Sequence, residues 1–400
     1  MIEGLYLHIP FCAKRCAYCD FATEACHDDA RMDAYIDGLS LAIRRASRAG
    51  LLGSIKTIYL GGGTPSYLGT RRLNSLVYLI SLSINLENVE EFTVEANPDS
   101  IDERMVKDLF ALGVDRFSLG AQSFDDEVLR AYGRIHDARQ IERAVACIKG
   151  RVENFSLDLI CGGPGQSMES WEDSLARALA SGAKHISIYP LTLEEGTPLF
   201  AQVEAGTCAP PEEDAEADMM ERASEVLEAA GMHRYEVASY AYPGFESRHN
   251  SSYWSGVEYL GLGAGAASML SCEDYRACID AGLFAPDSGC DLSKGAARVR
   301  VECEADTTAF NESMGTPHVQ VETLTNAQAQ LEDLMLGMRK SMGVSFEQVH
   351  HAAAIVPEVS GVFTSLEERG LVAEERGRYV PTKRGWLCGN EVYGAIWGLA

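Results

Sequence analysis

Basic residues are scarce in this chain of 400. Its 34 Lys and Arg stand against 59 Asp and Glu, a formal net charge of −25. A broad nucleic-acid surface needs clustered Lys and Arg, so nucleic acid is excluded as a partner. Long apolar runs are missing too. The most hydrophobic window, LNSLVYLISLSINL at 73–86, falls short of the roughly 20 residues that span a bilayer and reads as a packed helix. The opening MIEGLYLHIPFC has no basic stretch leading into an apolar one, so no secretory leader is expected. Internal repeats and low-complexity tracts are absent. A globular cytoplasmic protein is expected, with a length that suits two or three domains. The 12 cysteines then read as thiols in a reducing compartment, not as a disulfide framework.

What is present concentrates near the start. Cys12, Cys16 and Cys19, in FCAKRCAYCDF, have the spacing C-x3-C-x2-C. Three thiolates on one short loop suit three irons of a [4Fe–4S] cluster, leaving the fourth iron without a protein ligand. An open position on a metal is where a substrate binds. This spacing, just after an N-terminal strand, resembles the radical SAM superfamily. The resemblance implies that the amino and carboxylate groups of S-adenosylmethionine (SAM) bind the open iron. It also implies that an electron from the cluster cleaves the sulfonium to a 5′-deoxyadenosyl radical. Three unconnected thiols are the plain alternative.

The first half alternates strand-like and helix-like segments. Strands are expected at 5–9, 57–60, 91–95, 116–119, 155–160 and 185–189. Helices are expected between them at 31–49, 71–83, 103–112, 126–132, 138–148 and 168–180. Six strands with helical crossovers predict parallel βα units and right-handed connections. They are too few for an eight-stranded barrel. The expected fold class is therefore α/β, a partial (β/α)6 barrel with its chemistry at the C-terminal strand ends. After about residue 190 the pattern changes. A Pro/acidic break, CAPPEED at 208–214, precedes a helix at 215–230 and a strand at 235–240. Residues 272–317 show no clean period. From 325 the order is helix (326–340), helix (346–351), helix (359–369) and a hairpin (371–381) turning at Gly377. That order is winged-helix-like but not basic. The expected organisation is a barrel over 1–200, a mixed α+β extension over 201–324 and a mainly helical C-terminal domain over 325–400.

Motifs fall at the expected strand ends. Tyr6 precedes Cys12, and Tyr18 lies between Cys16 and Cys19. These rings either shield a cluster and pack on adenine or fill the core. Gly61-Gly62-Gly63-Thr64-Pro65 follows the second strand. Its glycines let backbone approach a ligand, and the resemblance places the amino group of SAM there; a tight turn is the alternative. Glu95, in EANP, is left at the barrel top by Pro98. It either accepts from the cofactor's ammonium or ribose or faces a helix entry. Gln122, in GAQSF, ends the fourth strand and joins the expected SAM contacts. In GRIH, Arg134 pairs with the cofactor's carboxylate or faces solvent, and His136 is a proton donor or packed. Asp158, in LDLICGGPGQ, bonds ribose hydroxyls or caps its turn, and Cys161 counts as a small core residue.

Together YLHIPFC, CAYCDF, GGGTPS, VEANP, GAQSF, GRIH and GGPGQ, with LGMRKSMGV and PTKRGWLCGNEVYGAIW, resemble the oxygen-independent coproporphyrinogen III oxidases and their close relatives. The resemblance spans nearly the whole chain and has two branches. The dehydrogenase branch carries a further Cys two residues after the third, and an N-terminal extension. Here Phe21 holds that position and only eleven residues precede Cys12. Both departures point to the haem-chaperone branch. So does His249-Asn250-Ser251-Ser252-Tyr253-Trp254, which matches the HNxxYW motif that this branch associates with haem. Imidazole is a common ligand of haem iron, and Tyr253 and Trp254 suit the walls of a porphyrin site. A loop His beside two half-buried aromatics is the alternative. In GLGAGAAS, Ala267 stands where relatives typically carry His, and this loop is expected close to the cofactor.

The resemblance implies haem binding and transfer to acceptor haem proteins, membrane-associated respiratory ones among them. It also implies a SAM-bound [4Fe–4S] cluster, an electron donor for it, a homodimer, and a place in the cytoplasm or at the inner face of the membrane. The alternatives are oxidative decarboxylation of two propionates of coproporphyrinogen III, or radical SAM chemistry on a small unrelated substrate. Cys26, Cys147, Cys208, Cys272, Cys278, Cys290, Cys303 and Cys388 are expected to be free thiols.

Overall fold

The computed structural model describes residues 1–210, 212–286, 292 and 295–400. The expectation for Cys290 lies outside them. The first half alternates as the pattern predicts: β1 (Gly4–Ile9), α1 (Asp29–Arg48), β2 (Thr57–Gly62), α2 (Gly69–Ser83), β3 (Glu91–Ala96), α3 (Glu103–Ala111) and β4 (Arg116–Gln122). Then follow α4 (Asp126–Ala131), α5 (Ala138–Lys149), β5 (Phe155–Cys161), α6 (Met168–Ser181) and β6 (His185–Pro190). Successive strands pair in parallel from β1 to β6. Asp28, Asp102, Asp125, Asp137 and Ser167 start the helices by accepting first-turn N–H groups.

Parallel strands covered on both faces usually read as unbroken apolar runs. These strands are apolar mainly at alternate residues, the end of β5 (Leu159, Ile160, Cys161) excepted. Leu5 and Leu7, Ile58 and Leu60, Phe92 and Val94, Phe117 and Leu119, Leu157 and Leu159, and Ile186 and Ile188 are buried. They pack in one core with the apolar stripes of the covering helices. The intervening positions are Tyr6 and His8, Thr57 and Tyr59, Glu91 to Glu95 by twos, Arg116 and Ser118, Ser156 and Asp158, and His185 and Ser187. These line a polar lumen on the concave side.

The sheet has twelve strands and, among the described residues, stays open. Beyond β6 lie β7 (His233–Arg234) and β8 (Ser239–Ala241), both antiparallel. Of the strand expected at 235–240 only Ser239 and Tyr240 lie in one, β8; β7 ends before it, and Glu236 between them makes an isolated bridge with Lys340. On the other edge β9 (Tyr259–Leu262) runs parallel to β1. Then β10 (Ala267–Leu270), β11 (Arg298–Cys303) and β12 (Val319–Leu324) continue antiparallel. The stretch that lacked a clean period thus holds β11, where Val299, Val301 and Cys303 are buried.

Near the C-terminus, helices Asn326–Gly337, Phe346–Ala353, Val359–Glu368 and Gly389–Trp397 surround a hairpin of Val372–Glu375 and Arg378–Pro381. They share a second core of Leu331, Leu334, Phe363, Leu366 and Ile396. The hairpin turns through Arg376 (φ 49°) and Gly377 (φ 79°), the left-handed pair that matches strand twist. Arg298 clamps this unit to the sheet through both carboxylate oxygens of Asp333, at 2.6 and 2.7 Å. Among the described residues no helix is long and apolar enough to cross a membrane.

Phe363 is fully buried in the second core. Phe363→Ala is expected to destabilise that unit by about 3–5 kcal/mol, read as an earlier transition in urea. A loss below about 1 kcal/mol would contradict this packing.

Candidate functional site

The loop that follows β1 leaves the barrel at its C-terminal end. Phe11–Cys12 pairs in parallel with Glu24–Ala25 and closes the loop carrying Cys12, Cys16 and Cys19. Ala17 anchors it on both sides, donating to Tyr132 O at 2.9 Å and accepting from Leu199 N at 2.8 Å. Buried His8 holds its far end, with Nε2 2.9 Å from Ala22 O. The three thiols are half-buried. Cys12 Sγ lies 3.5 Å from Thr64 Oγ1, and Cys16 Sγ accepts from Arg134 Nη1 at 3.3 Å. Asn97 joins these two contacts: Nδ2 donates to Thr64 Oγ1 at 2.9 Å, and Oδ1 accepts from Arg134 Nη2 at 2.7 Å. Gly63 N donates to Ile9 O at 2.7 Å. A Cβ on Gly63 would lie 2.8 Å from Phe11 O, so only glycine lets this turn approach the cysteine loop so closely.

A cavity of about 470 Å³ lies beneath the loop and runs down the lumen to Asn250. Its walls include all three cysteines with Tyr18, Gly62, Gly63, Thr64, Glu95, Gln122, Arg134 and Asp158. One expected SAM contact is outside the walls: Tyr6 turns its hydroxyl to His8 Nδ1, 2.9 Å away. Gln122 has a left-handed backbone (φ 65°) at the register shift between β4 and β5. Such strain in a residue with a Cβ is held only where surrounding structure enforces it.

The cavity's electrostatics follow from burial. Glu95 accepts from Tyr59 OH at 2.6 Å and Gly62 N at 3.2 Å. Burial, reinforced by the nearby charge of Asp158, pushes its carboxyl up to about 7. Asp158 is also raised by burial and accepts from Ser118 Oγ at 2.9 Å. Arg116, 1% exposed, is a cation within the lumen near both carboxylates. Burial pushes the Cys12 thiol up to about 11 and raises Cys19, so binding metal would release protons.

The donor set fits an iron–sulfur cluster. Among the described residues no His, Cys, Asp and Glu side chains converge as the shell of a single metal ion. Three thiolates around a four-iron cube each bind a different iron and so stand apart. The Arg134 contact to Cys16 and the Thr64 contact to Cys12 are the outer hydrogen bonds that such thiolates need.

Several expectations are corrected. Arg134 lies in the cavity wall and is not free in solvent: its guanidinium is engaged with Cys16, Asn97 and Gly120 O. His136 is packed, with Nε2 3.2 Å from Ala121 O. The GLGAGAAS loop does not line the cavity: Ala264 N donates to Tyr35 OH at 3.0 Å, and Ala267 is exposed where β10 begins. His249 is also placed otherwise than expected. It sits on helix Arg248–Tyr253 beneath the opposite, N-terminal end of the barrel and is 0% exposed. Its Nδ1 is 2.9 Å from Thr57 Oγ1 and its Nε2 is 2.8 Å from Tyr253 OH. In this conformation it offers no imidazole nitrogen to haem iron. Trp254 donates to Glu236 at 3.1 Å, and Arg339 lies 5.0 Å over its ring.

Tyr59, Asn97, Arg116 and His8 were not singled out from the sequence. The available signal was polar residues at every second position of strands that otherwise read apolar, as in EFTVEA and RFSLGAQ.

A three-cysteine loop over the C-terminal ends of a partial parallel barrel defines a radical SAM protein, and the radical SAM superfamily matches residues 6–178. That superfamily implies SAM and a [4Fe–4S] cluster. The chain is 33% identical to the haem chaperone HemW of Lactococcus lactis over 98% of its own length and 96% of that protein. It is 32% identical to HemW of Bacillus subtilis over 99% of its length and all (100%) of that protein. The chain belongs to the haem chaperone HemW family. Among solved structures, the coproporphyrinogen III oxidase HemN of Escherichia coli aligns with a TM-score of 0.78 at 20% identity, covering 99% of this chain and 90% of that one. At that identity the likeness shows a shared fold.

Cys12→Ala, Cys16→Ala and Cys19→Ala are each expected to abolish the visible absorption of a reconstituted four-iron cluster. A full cluster in any of them would bring in another thiol, such as Cys26. The raised carboxyl of Glu95 predicts a pH effect on the cofactor-free protein. The unfolded carboxyl ionises near its ordinary value of about 4.3, the folded one only at about 7. Stability therefore falls as pH rises through that window. Glu95→Gln should remove on the order of 3 kcal/mol of this fall, so denaturation midpoints of parent and variant draw apart with pH. Parallel profiles would refute a raised Glu95.

Proposed function

We propose that this chain binds haem and delivers it to acceptor haem proteins, while its barrel holds SAM on a [4Fe–4S] cluster. End-to-end relatedness to haem chaperones, through barrel and C-terminal unit alike, carries the proposal. Phe21 supports it: the ring is 65% exposed at the cavity wall, at the position where the dehydrogenase branch carries a thiol. Cys12, Cys16 and Cys19 would hold the cluster, which when reduced supplies an electron to the sulfonium of bound SAM. Glu95, once ionised, would accept from the cofactor's ammonium or ribose. Asp158 would take ribose hydroxyls, and Gln122 and the turn at 62–64 would complete the pocket. Tyr18, set edge-on against Tyr132 with centroids 5.4 Å apart, would keep water from one wall.

The organisation into 1–200, 201–324 and 325–400 belongs to the same proposal. So do respiratory haem proteins as acceptors, an electron donor for the cluster, a homodimer, and a cytoplasmic place near the membrane. Haem contact through His249, Tyr253 and Trp254 requires the segment 247–254 to leave the barrel floor.

An anaerobic haem titration of the cluster-reconstituted protein, followed in the Soret region, tests the proposal. Stoichiometric uptake is expected. No uptake would overturn it and favour decarboxylation of coproporphyrinogen III, which product analysis would detect. With His249→Ala, a changed Soret band would place haem iron on His249, and an unchanged band would place it elsewhere.

A further inference from the structure

The contacts of His249 run into the barrel. Its ring stacks on Tyr59, with centroids 5.1 Å apart and planes 20° apart. Thr57 and Tyr253 hold its two nitrogens. The helix that carries it is docked by buried Glu91, which accepts from Ser247 Oγ at 3.3 Å, Arg248 N at 2.8 Å and His249 N at 3.1 Å. On the other side of the stack, Tyr59 OH donates to Glu95 at 2.6 Å inside the cavity. The Tyr59 ring lies against Gly61, where a Cβ would come within 2.7 Å of it.

We propose that His249 is a positioning residue of the SAM cavity, fixing through Tyr59 where Glu95 presents its carboxylate. The proposal rests on Glu95 as a SAM contact and goes beyond it, since haem has no part in it. Removing the imidazole leaves a void beneath Tyr59, and close-packed interiors respond to such voids by shifting their neighbours. The ring then no longer holds its hydroxyl on Glu95. Burial and the charge of Arg116 hold His249 down at about 3, so the ring stays neutral around neutral pH and protonation does not disturb the stack.

SAM affinity of the cluster-reconstituted protein, measured anaerobically by equilibrium dialysis, tests this. The EPR shift of the reduced cluster on adding SAM serves as the spectroscopic check. His249→Ala should weaken SAM binding about tenfold. Tyr59→Phe, which keeps the ring and removes the donor to Glu95, should do the same while leaving the bonds of His249 intact. The double variant should lose no more than either single one, because both act on one contact. His249→Phe, which keeps a flat ring under Tyr59, should recover most of the affinity. Parent-like SAM affinity in His249→Ala, or losses that multiply to about a hundredfold in the double variant, would overturn the proposal. The haem titration fails separately. A chain that takes no haem but shows this pattern loses the chaperone reading and keeps this one. A chain that takes haem while its SAM affinity ignores His249 does the reverse.

Discussion

A parallel sheet that is polar on its concave face has to satisfy those polar groups within itself, and each functional position here depends on that constraint. The outer positions of β1 to β6 are committed to the helices. What remains faces inward: Glu91, Glu95, Arg116, Asp158, His185 and a set of hydroxyls. A buried charge without a partner costs several kcal/mol. Glu91 therefore has to find donors, and it finds them in the Ser247 hydroxyl and the backbone N–H groups of Arg248 and His249. A one-residue slip in any strand would turn this set outward and the apolar set inward. The lumen's chemistry thus fixes register as firmly as the core does.

The two ends of the lumen are treated differently. At the floor, Glu91 and the stack of His249 on Tyr59 bring in a helix that closes the barrel. At the top the cysteine loop forms a roof held by backbone bonds at Ala17 and by the Thr64–Asn97–Arg134 network. The thiols of Cys12 and Cys16 are each held by a neighbour, Thr64 and Arg134, and Asn97 ties those two neighbours together. Arg134 contributes twice, as a donor to Cys16 and as a positive charge beside developing thiolates.

Much of this was legible because the local signals are strong. Strands of alternating or apolar residues, Asp and Ser caps, the glycine turn at 61–63 and the cysteine spacing each depend on a few neighbouring residues. The sequence-derived strands β1 to β6 and the roof residues follow from them. The floor was not legible. His249, Thr57, Tyr59 and Glu91 come from three distant segments, and a motif such as HNSSYW looks the same whether its imidazole faces solvent or a lumen. Only long-range packing decides between them, and here the stack on Tyr59 decides for the lumen. The strand β9 was obscure for a related reason. GLGAG reads as a loop by composition, yet its first two residues pair with β1, and Gly263 just beyond them packs against Tyr35 and His8.

The segment 247–254 also touches the C-terminal unit, since Trp254 lies between Glu236 and Arg339, and Arg339 in turn lies 4.6 Å over the ring of Tyr393. One short stretch therefore meets the SAM cavity on one side and the C-terminal core on the other. Thermodynamic linkage then constrains any ligand that draws His249 away from Tyr59. If His249 positions Glu95 for SAM as proposed, such a ligand weakens SAM binding by the same factor by which SAM weakens its own. If haem iron takes His249, haem loading and SAM occupancy oppose each other through the Tyr59–Glu95 bond. If haem binds elsewhere, the two are free to be independent. With the proposed role of His249, haem on that residue and SAM in the cavity would belong to a single equilibrium, whereas haem bound elsewhere would leave His249 in its stack.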